Sequence, residues 1–183
     1  MGNPGPEYRR SRHNLGADVV ALLAERQGER LKPARTERSL VAEVRVDGRR
    51  LALAFPQTYM NDSGMAVARL VRRFGIDDLA RLVVVQDELD LPVGAVRVKL
   101  GGGLAGHNGL RSIGDHLHDR GFSRVRIGIG KPPGRQEGVD HVLRPPGKAE
   151  RELLDVAVQE AADAVEAILA DGVDAAMNRY NSR

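Results

Sequence analysis

Cysteine and tryptophan are absent from this chain of 183 residues, and phenylalanine and tyrosine supply only three residues each. Without cysteine there is no disulfide, no thiolate metal site and no cysteine nucleophile, so any nucleophile is an oxygen, a nitrogen or water. Long apolar runs are missing too. The longest, Val19 to Leu23 with Ala24, falls far short of the ~20 residues that a membrane-spanning helix needs. The first fourteen residues lack a signal-peptide core, and Pro6 stands where a myristoylation motif wants Ser or Thr. These absences lead us to expect a cytoplasmic protein without membrane contact. What is present, 42% apolar and 29% charged residues, is enough to fold, and the length fits one domain.

Net charge is small, +3, but unevenly placed. Residues 97–135 hold eight basic residues against Asp115 and Asp119, a local +6, whereas residues 148–171 hold two basic residues against seven acidic ones, a local −5. A segregated basic region suits a polyanionic partner, because each phosphate contact releases counterions and steers encounter. Ordinary solvated charge explains the pattern equally well at this point.

Helical and strand signals alternate along the chain, which implies an α/β fold. Leu15, Val19, Leu22 and Leu23 predict a helix over 14–26, starting beside His13. Two β-rich runs, 39–46 and 49–55, flank Asp47-Gly48, a pair suited to a type I′ hairpin turn. Val67, Leu70, Val71 and Phe74 predict an amphipathic helix that Gly75 can end, with Asn61, Asp62 or Ser63 as its N-cap. The run Leu82 to Val85 reads as a buried strand that delivers Asp87, Glu88 and Asp90 at its C-terminal end, where ligand sites gather in open α/β sheets. A strand over 95–99 leads into the Gly-rich loop 101–109, and 122–129 predicts another strand. Residues 131–147, with Pro132, Pro133, Pro145 and Pro146, read as a loop, and helices are expected over 148–180.

The Gly-rich loop lacks the Lys-Ser/Thr of a P-loop and follows a mid-chain strand, so it does not fit a nucleotide site. No His-Glu-x-x-His pattern supports a metal, and no Gly-x-Ser-x-Gly elbow supports a serine nucleophile. Water is the better candidate. What remains is a polar constellation of Asn3, His13, Asn14, Asn61, Asp87, His107 and Asn108. A histidine at a helix start is more often structural than catalytic, yet these residues fall in loops and at element ends, where site residues concentrate.

Six segments, in order, carry a resemblance: Gly2-Asn3-Pro4-Gly5-x-x-Tyr8 with Arg12-His13-Asn14-x-Gly16; Thr58-Tyr59-Met60-Asn61-x-Ser63-Gly64; Asp87-Glu88-Leu89-Asp90-Leu91-Pro92; Lys99 to Gly103; Gly106-His107-Asn108-Gly109-Leu110; and Arg124 to Gly130. Together they resemble bacterial peptidyl-tRNA hydrolase. The resemblance implies a single α/β domain with a mixed twisted sheet surrounded by helices, monomeric and cytoplasmic. It also implies a carboxylic ester hydrolase that frees tRNA from prematurely released peptidyl-tRNA, using no metal and no organic cofactor.

Carried over residue by residue, the resemblance makes His13 the general base and Asp87 the carboxylate that supports it. An imidazole with a reference pKa near ~6.5 can take a proton from water, while a carboxylate on its other nitrogen fixes the tautomer. Asn61 and Asn108 match substrate-binding positions, and Tyr8 and Tyr59 match positions that contact the tRNA end or its attached residue, with structural packing as their competing role. Asn3 matches the position that separates N-blocked from free aminoacyl-tRNA. Lys99 and Arg126 match a basic clamp near the terminal phosphate, inside the +6 segment. Gln86 and Leu104-Ala105 depart from the family pattern. The family also places an apolar interior strand immediately before Gly-Asn-Pro-Gly, which this chain lacks, so a natural start upstream is expected. Two alternatives stay open: a non-catalytic RNA-binding relative of the same fold, and a generic esterase with no need of a basic patch.

Overall fold

The computed structural model describes residues 1–132 and 138–182. Pro133 and Arg135, counted above, lie outside the described residues. Helix α1, Leu15–Arg26, starts one residue later than the apolar spacing predicts. Strand β1 is Lys32–Ala34, and β2, Ser39–Val46, and β3, Arg49–Pro56, form the expected hairpin. Asp47 and Gly48 take φ of 48° and 78°, the positive pair that a type I′ turn requires. Helix α2, Ser63–Arg73, follows.

Strand β4 is Val83–Glu88, β5 Val96–Leu100 and β6 Ser123–Gly128. Helix α3, Asn108–Leu117, begins inside the segment read as the end of the Gly-rich loop. Helix α4, Gly138–Leu143, corrects the reading of 131–147 as loop throughout. Pro145 and Pro146 fall beyond its last turn and do not interrupt it. Helices α5, Lys148–Asp171, and α6, Val173–Asn181, close the chain as expected.

The α/β class stands, with its strands divided between two sheets. One is antiparallel, β1-β2-β3; the other runs β4-β6-β5, with β4 parallel and β5 antiparallel to the central β6. The main core packs α1 and α5 against both sheets through Leu15, Val19, Leu23, Leu53, Val125 and Leu154. A second cluster on the other face of β4 joins Val84 to Met60, Leu110, Ile113 and Phe122. The outer edges of β3 and β4 face one cavity of about 140 Å³, lined by Leu51 to Ala54 and Val83 to Val85. Met1 closes one end: its buried amine donates to Val85 O at 2.8 Å, and its carbonyl accepts the Ala17 N–H at 3.0 Å. Only glycine fits at 16, because a Cβ there would strike Val85 O and the Met1 backbone. At the far edge, the Asn181 side chain accepts the Val98 N–H at 3.0 Å and donates to Val98 O at 2.8 Å, completing β5 as a strand would.

Candidate active site

Strand β4 alternates between two environments. Val85 and Asp87 share the face toward α1, while Val84, Gln86 and Glu88 share the other. Asp87 is the last residue but one of the strand, so partners reach it from both sides of the strand end. From one side comes His13, held in a 3-10 turn, Arg12–Asn14, that runs straight into α1. Its Nδ1 lies 2.8 and 3.0 Å from the two carboxylate oxygens. From the other comes His107, the N-cap of α3, whose Nε2 lies 3.2 Å from Asp87 Oδ1.

Asp87 is 3% exposed. Burial is the largest influence on it and by itself would raise its pKa; the charge and hydrogen bonds of His13 and His107 outweigh burial and hold the carboxyl well below the usual carboxylate range. The tautomers follow from the partners. An ionised carboxylate only accepts, so His13 Nδ1 carries a proton and Nε2 is left as the basic nitrogen. His107 Nδ1 accepts the Leu110 N–H at 3.3 Å, which places its proton on Nε2, donating to Asp87.

Among the described residues, His13, Asp87 and His107 are the group of His and Asp ligand atoms close enough, within 4.8 Å, to share a metal ion. Their hydrogen bonds suit protons better. A metal would need His107 Nε2 free of its proton, and the Leu110 N–H already occupies the nitrogen that would have to take it.

The turn bearing His13 is fastened on two sides. Arg12 grips the Glu150 carboxylate with Nε and Nη2, at 2.6 and 2.7 Å, and donates from Nη1 to His141 O and Arg144 O, both at 3.1 Å. This ties the α4–α5 junction to the base. Asn14 accepts the Asn3 N–H and donates to Asn3 O, each at 2.9 Å, fixing the first loop against α1. Asn3 in turn accepts the Met60 N–H on Oδ1 at 2.7 Å, so its NH₂ is the end available to a ligand carbonyl.

Met60 lies between the segments that carry the asparagines. It precedes Asn61, and its sulfur packs where a side chain at Gly109, next to Asn108, would stand. Asn61, Asn108 and Tyr59 are exposed, Tyr59 by 59%, while Tyr8 is half-buried in the turn Pro6–Tyr8. Asn3 is thus linked through Asn14 to the turn of His13, and His13 to Asp87, while Asn61 and Asn108 are placed by their chain neighbours Met60 and Gly109.

Lys99 and Arg126 are not part of that group. Cross-strand pairing sets Lys99 against Arg124 and Arg97 against Arg126, which puts these four cations on the face of the second sheet opposite Asp87. Arg124 is spent on structure, bonding Gly101 O and Gly103 O and so anchoring the Gly-rich loop. Lys99 and Arg126 are half-buried, with Arg126 3.9 Å from Glu88. Gln86 shares this face, fully buried, and its side-chain oxygen and nitrogen have no partner among the described residues. Leu104 packs on the second core cluster, and Ala105 sits at φ 49°, so the unusual loop pair anchors the loop at one residue and bends it at the next.

His107 is the residue that the sequence undervalued: it stands in the polar constellation, but nothing in the spacing shows that it shares Asp87 with His13.

A family profile described as peptidyl-tRNA hydrolase matches residues 1–183. The peptidyl-tRNA hydrolase of Frankia casuarinae is 53% identical over 182 residues, covering 100% of this chain and 91% of that protein. That of Rhodococcus erythropolis is 49% identical over 181 residues, covering 99% and 95%. Among solved structures, a peptidyl-tRNA hydrolase from Acinetobacter baumannii superposes with a TM-score of 0.92 at 37% identity, covering 99% of this chain and 91% of that one. A complex of peptidyl-tRNA hydrolase with N-propanol gives a TM-score of 0.93 at 37% identity, covering 100% and 92%.

Proposed function

From the premise that the chain belongs to the peptidyl-tRNA hydrolase family, we propose that it hydrolyses the ester joining a peptide to the 3′ end of tRNA, with His13 as general base and Asp87 as its support. The observation that carries the reading is the buried His13–Asp87 pair, with His13 Nδ1 held by the carboxylate. His13 Nε2 takes a proton from water as the water oxygen attacks the ester carbonyl. The resulting imidazolium is stabilised by Asp87. When the tetrahedral intermediate collapses, the ribose oxygen leaves and takes the proton back, giving free peptide and tRNA.

The neighbouring groups fit this chemistry. The Asn3 NH₂ is suited to a peptide carbonyl, and an unblocked aminoacyl ester would leave that donor unpaired, a penalty that protects charged tRNA. Asn61 and Asn108 are exposed amides and bind the substrate backbone. Tyr8 and Tyr59 pack against the terminal nucleotide or its attached residue. Lys99 and Arg126 hold tRNA phosphates on the adjoining basic face. The protein works as a single-domain monomer in the cytoplasm, and its chemistry needs no metal or cofactor. Among the described residues no helix is long and apolar enough to cross a membrane.

The deciding experiment incubates purified protein with N-acetyl-aminoacyl-tRNA and follows release of free tRNA. Wild-type protein is expected to turn over, and His13→Ala to lose turnover while retaining tRNA binding. Retention of most of the turnover by His13→Ala would show the mechanism to be wrong. Absence of hydrolysis in the wild type would favour a non-catalytic RNA-binding relative, and salt-insensitive cleavage of a simple model ester a generic esterase.

A further inference from the structure

Asp87 has two imidazole partners, and the mechanism above uses one. His107 approaches the same oxygen, Oδ1, at 3.2 Å that His13 approaches at 2.8 Å, and the two rings stand 5.0 Å apart, tilted by 39°. The side chain of His107 is 7% exposed. It is also committed at its other end, because Nδ1 caps α3 by accepting the Leu110 N–H. A neutral ring with one nitrogen accepting must donate from the other. The helix cap therefore determines which atom His107 offers to Asp87.

We propose that His107 is a positioning residue that acts through Asp87: its capped ring supplies a fixed N–H donor which limits how strongly the carboxylate holds the proton taken up by His13. The proposal rests on the assignment of His13 as the base. A carboxylate that accepts a second hydrogen bond is a weaker acceptor toward the first donor. With His107 in place the imidazolium of His13 is stabilised enough to form and is still acidic enough to return its proton to the leaving oxygen. Without it, Asp87 would hold His13 protonated at a higher pH and withdraw the base from the resting enzyme.

The other ionisable groups around this cluster are accounted for. The Met1 amine sits on Val85 O of the same strand, and Asp18 of α1 pairs with Arg151. Glu88 faces Arg126 on the opposite side of β4. From α4, His141 turns toward Ile129 O at 3.5 Å, and Arg12 is paired with Glu150. Among the described residues, His107 is thus the partner that competes with His13 for the carboxylate.

Two substitutions separate capping from donation. Asn is a good N-cap and can keep the Leu110 bond, but it is too short to reach Asp87 as well. In His107→Asn the acid limb of the kcat/KM profile for N-acetyl-aminoacyl-tRNA is expected to move about 0.5–1 pH unit higher, with KM changed less than about twofold and the high-pH plateau kept. The longer amide in His107→Gln can donate to Asp87, and is expected to bring the limb back toward wild type. An unmoved limb, or a uniform loss at every pH, would overturn the proposal and assign His107 to the substrate or to the loop alone. Should either variant fold poorly, ¹⁵N NMR of histidine-labelled wild-type protein decides independently. The neutral ring of His107 is expected as the Nε2–H tautomer, and an Nδ1–H tautomer would refute it. Failure of the His13 assignment reads differently: His13→Ala would then remain active, whatever the tautomer of His107.

Discussion

An ionised carboxylate inside a protein survives only if donors replace the water it has lost, and Asp87 has two of them. Its folded-state pKa lies below the ordinary value of about 3.9. The stability this provides is therefore complete above that value and is lost as pH falls through the lower, folded-state one. Asp87→Asn is expected to lower stability at pH 7 by about 1–3 kcal/mol and to unfold less steeply than wild type between pH 5 and 2. Urea titrations at a series of pH values test this, and parallel acid limbs would contradict it. The same variant should reduce turnover less completely than His13→Ala, since an amide can still orient the ring. Both members of this pair were legible in the sequence, because their motifs are specific and their residue types are those that proton transfer from water requires. The bond from His107 to Asp87 was not, since it spans 20 residues and depends on where the start of α3 lands relative to the end of β4.

Elements with strong local signals, the β2–β3 hairpin, α1, α2 and α5, are legible in the sequence to within a few residues, because Asp-Gly turn chemistry and helical spacing determine them without tertiary help. Helix α4 was hidden by the prolines around it, and α3 by a polar first turn that reads as a continuation of the Gly-rich loop. Charge counting had a related blind spot. It treats Arg124 as one more surface cation, whereas Arg124 is 1% exposed and bound to the loop backbone. Substitutions along β5 and β6 should therefore divide. Lys99→Ala and Arg126→Ala are each expected to weaken tRNA binding and to flatten its salt dependence by roughly one phosphate contact. Arg124→Ala is expected instead to lower the melting temperature, because it releases Gly101 O and Gly103 O from a buried partner. Binding isotherms from 50 to 300 mM salt and thermal melts distinguish the two classes. Equal salt slopes in all three variants and the wild type would remove this face from the tRNA interface.

Taken as a whole, the molecule joins its two sheets through packing rather than through strand pairing, and Met1 stands where they meet. In protein made to begin at Met1, burial lowers the Met1 amine from 8.0 to about 5, with the charges of Asp87 and Asp18 opposing the shift. Between these values the unfolded chain binds a proton that the folded chain does not, so stability falls as pH drops from 8 to 5, by up to about 4 kcal/mol. Acetylating Met1 is expected to remove this slope while sparing the N–H bond to Val85 O; identical slopes before and after would mean that the amine is solvated. Fusing about six extended, apolar-rich residues ahead of Met1 is expected to remove the slope and also to raise the melting temperature, by filling the cavity between β3 and β4. No increase would show that the facing edges do not accept a strand. At the opposite border of the second sheet, the Asn181 side chain covers Val98, and the Arg97 guanidinium covers Val96 O. Because the Val98 N–H is protected only while Asn181 is seated, its deuterium uptake measures how often the last helix lifts from the sheet. That one amide serves as a clock for opening at the C-terminal end of the molecule, readable without disturbing the chemistry at His13.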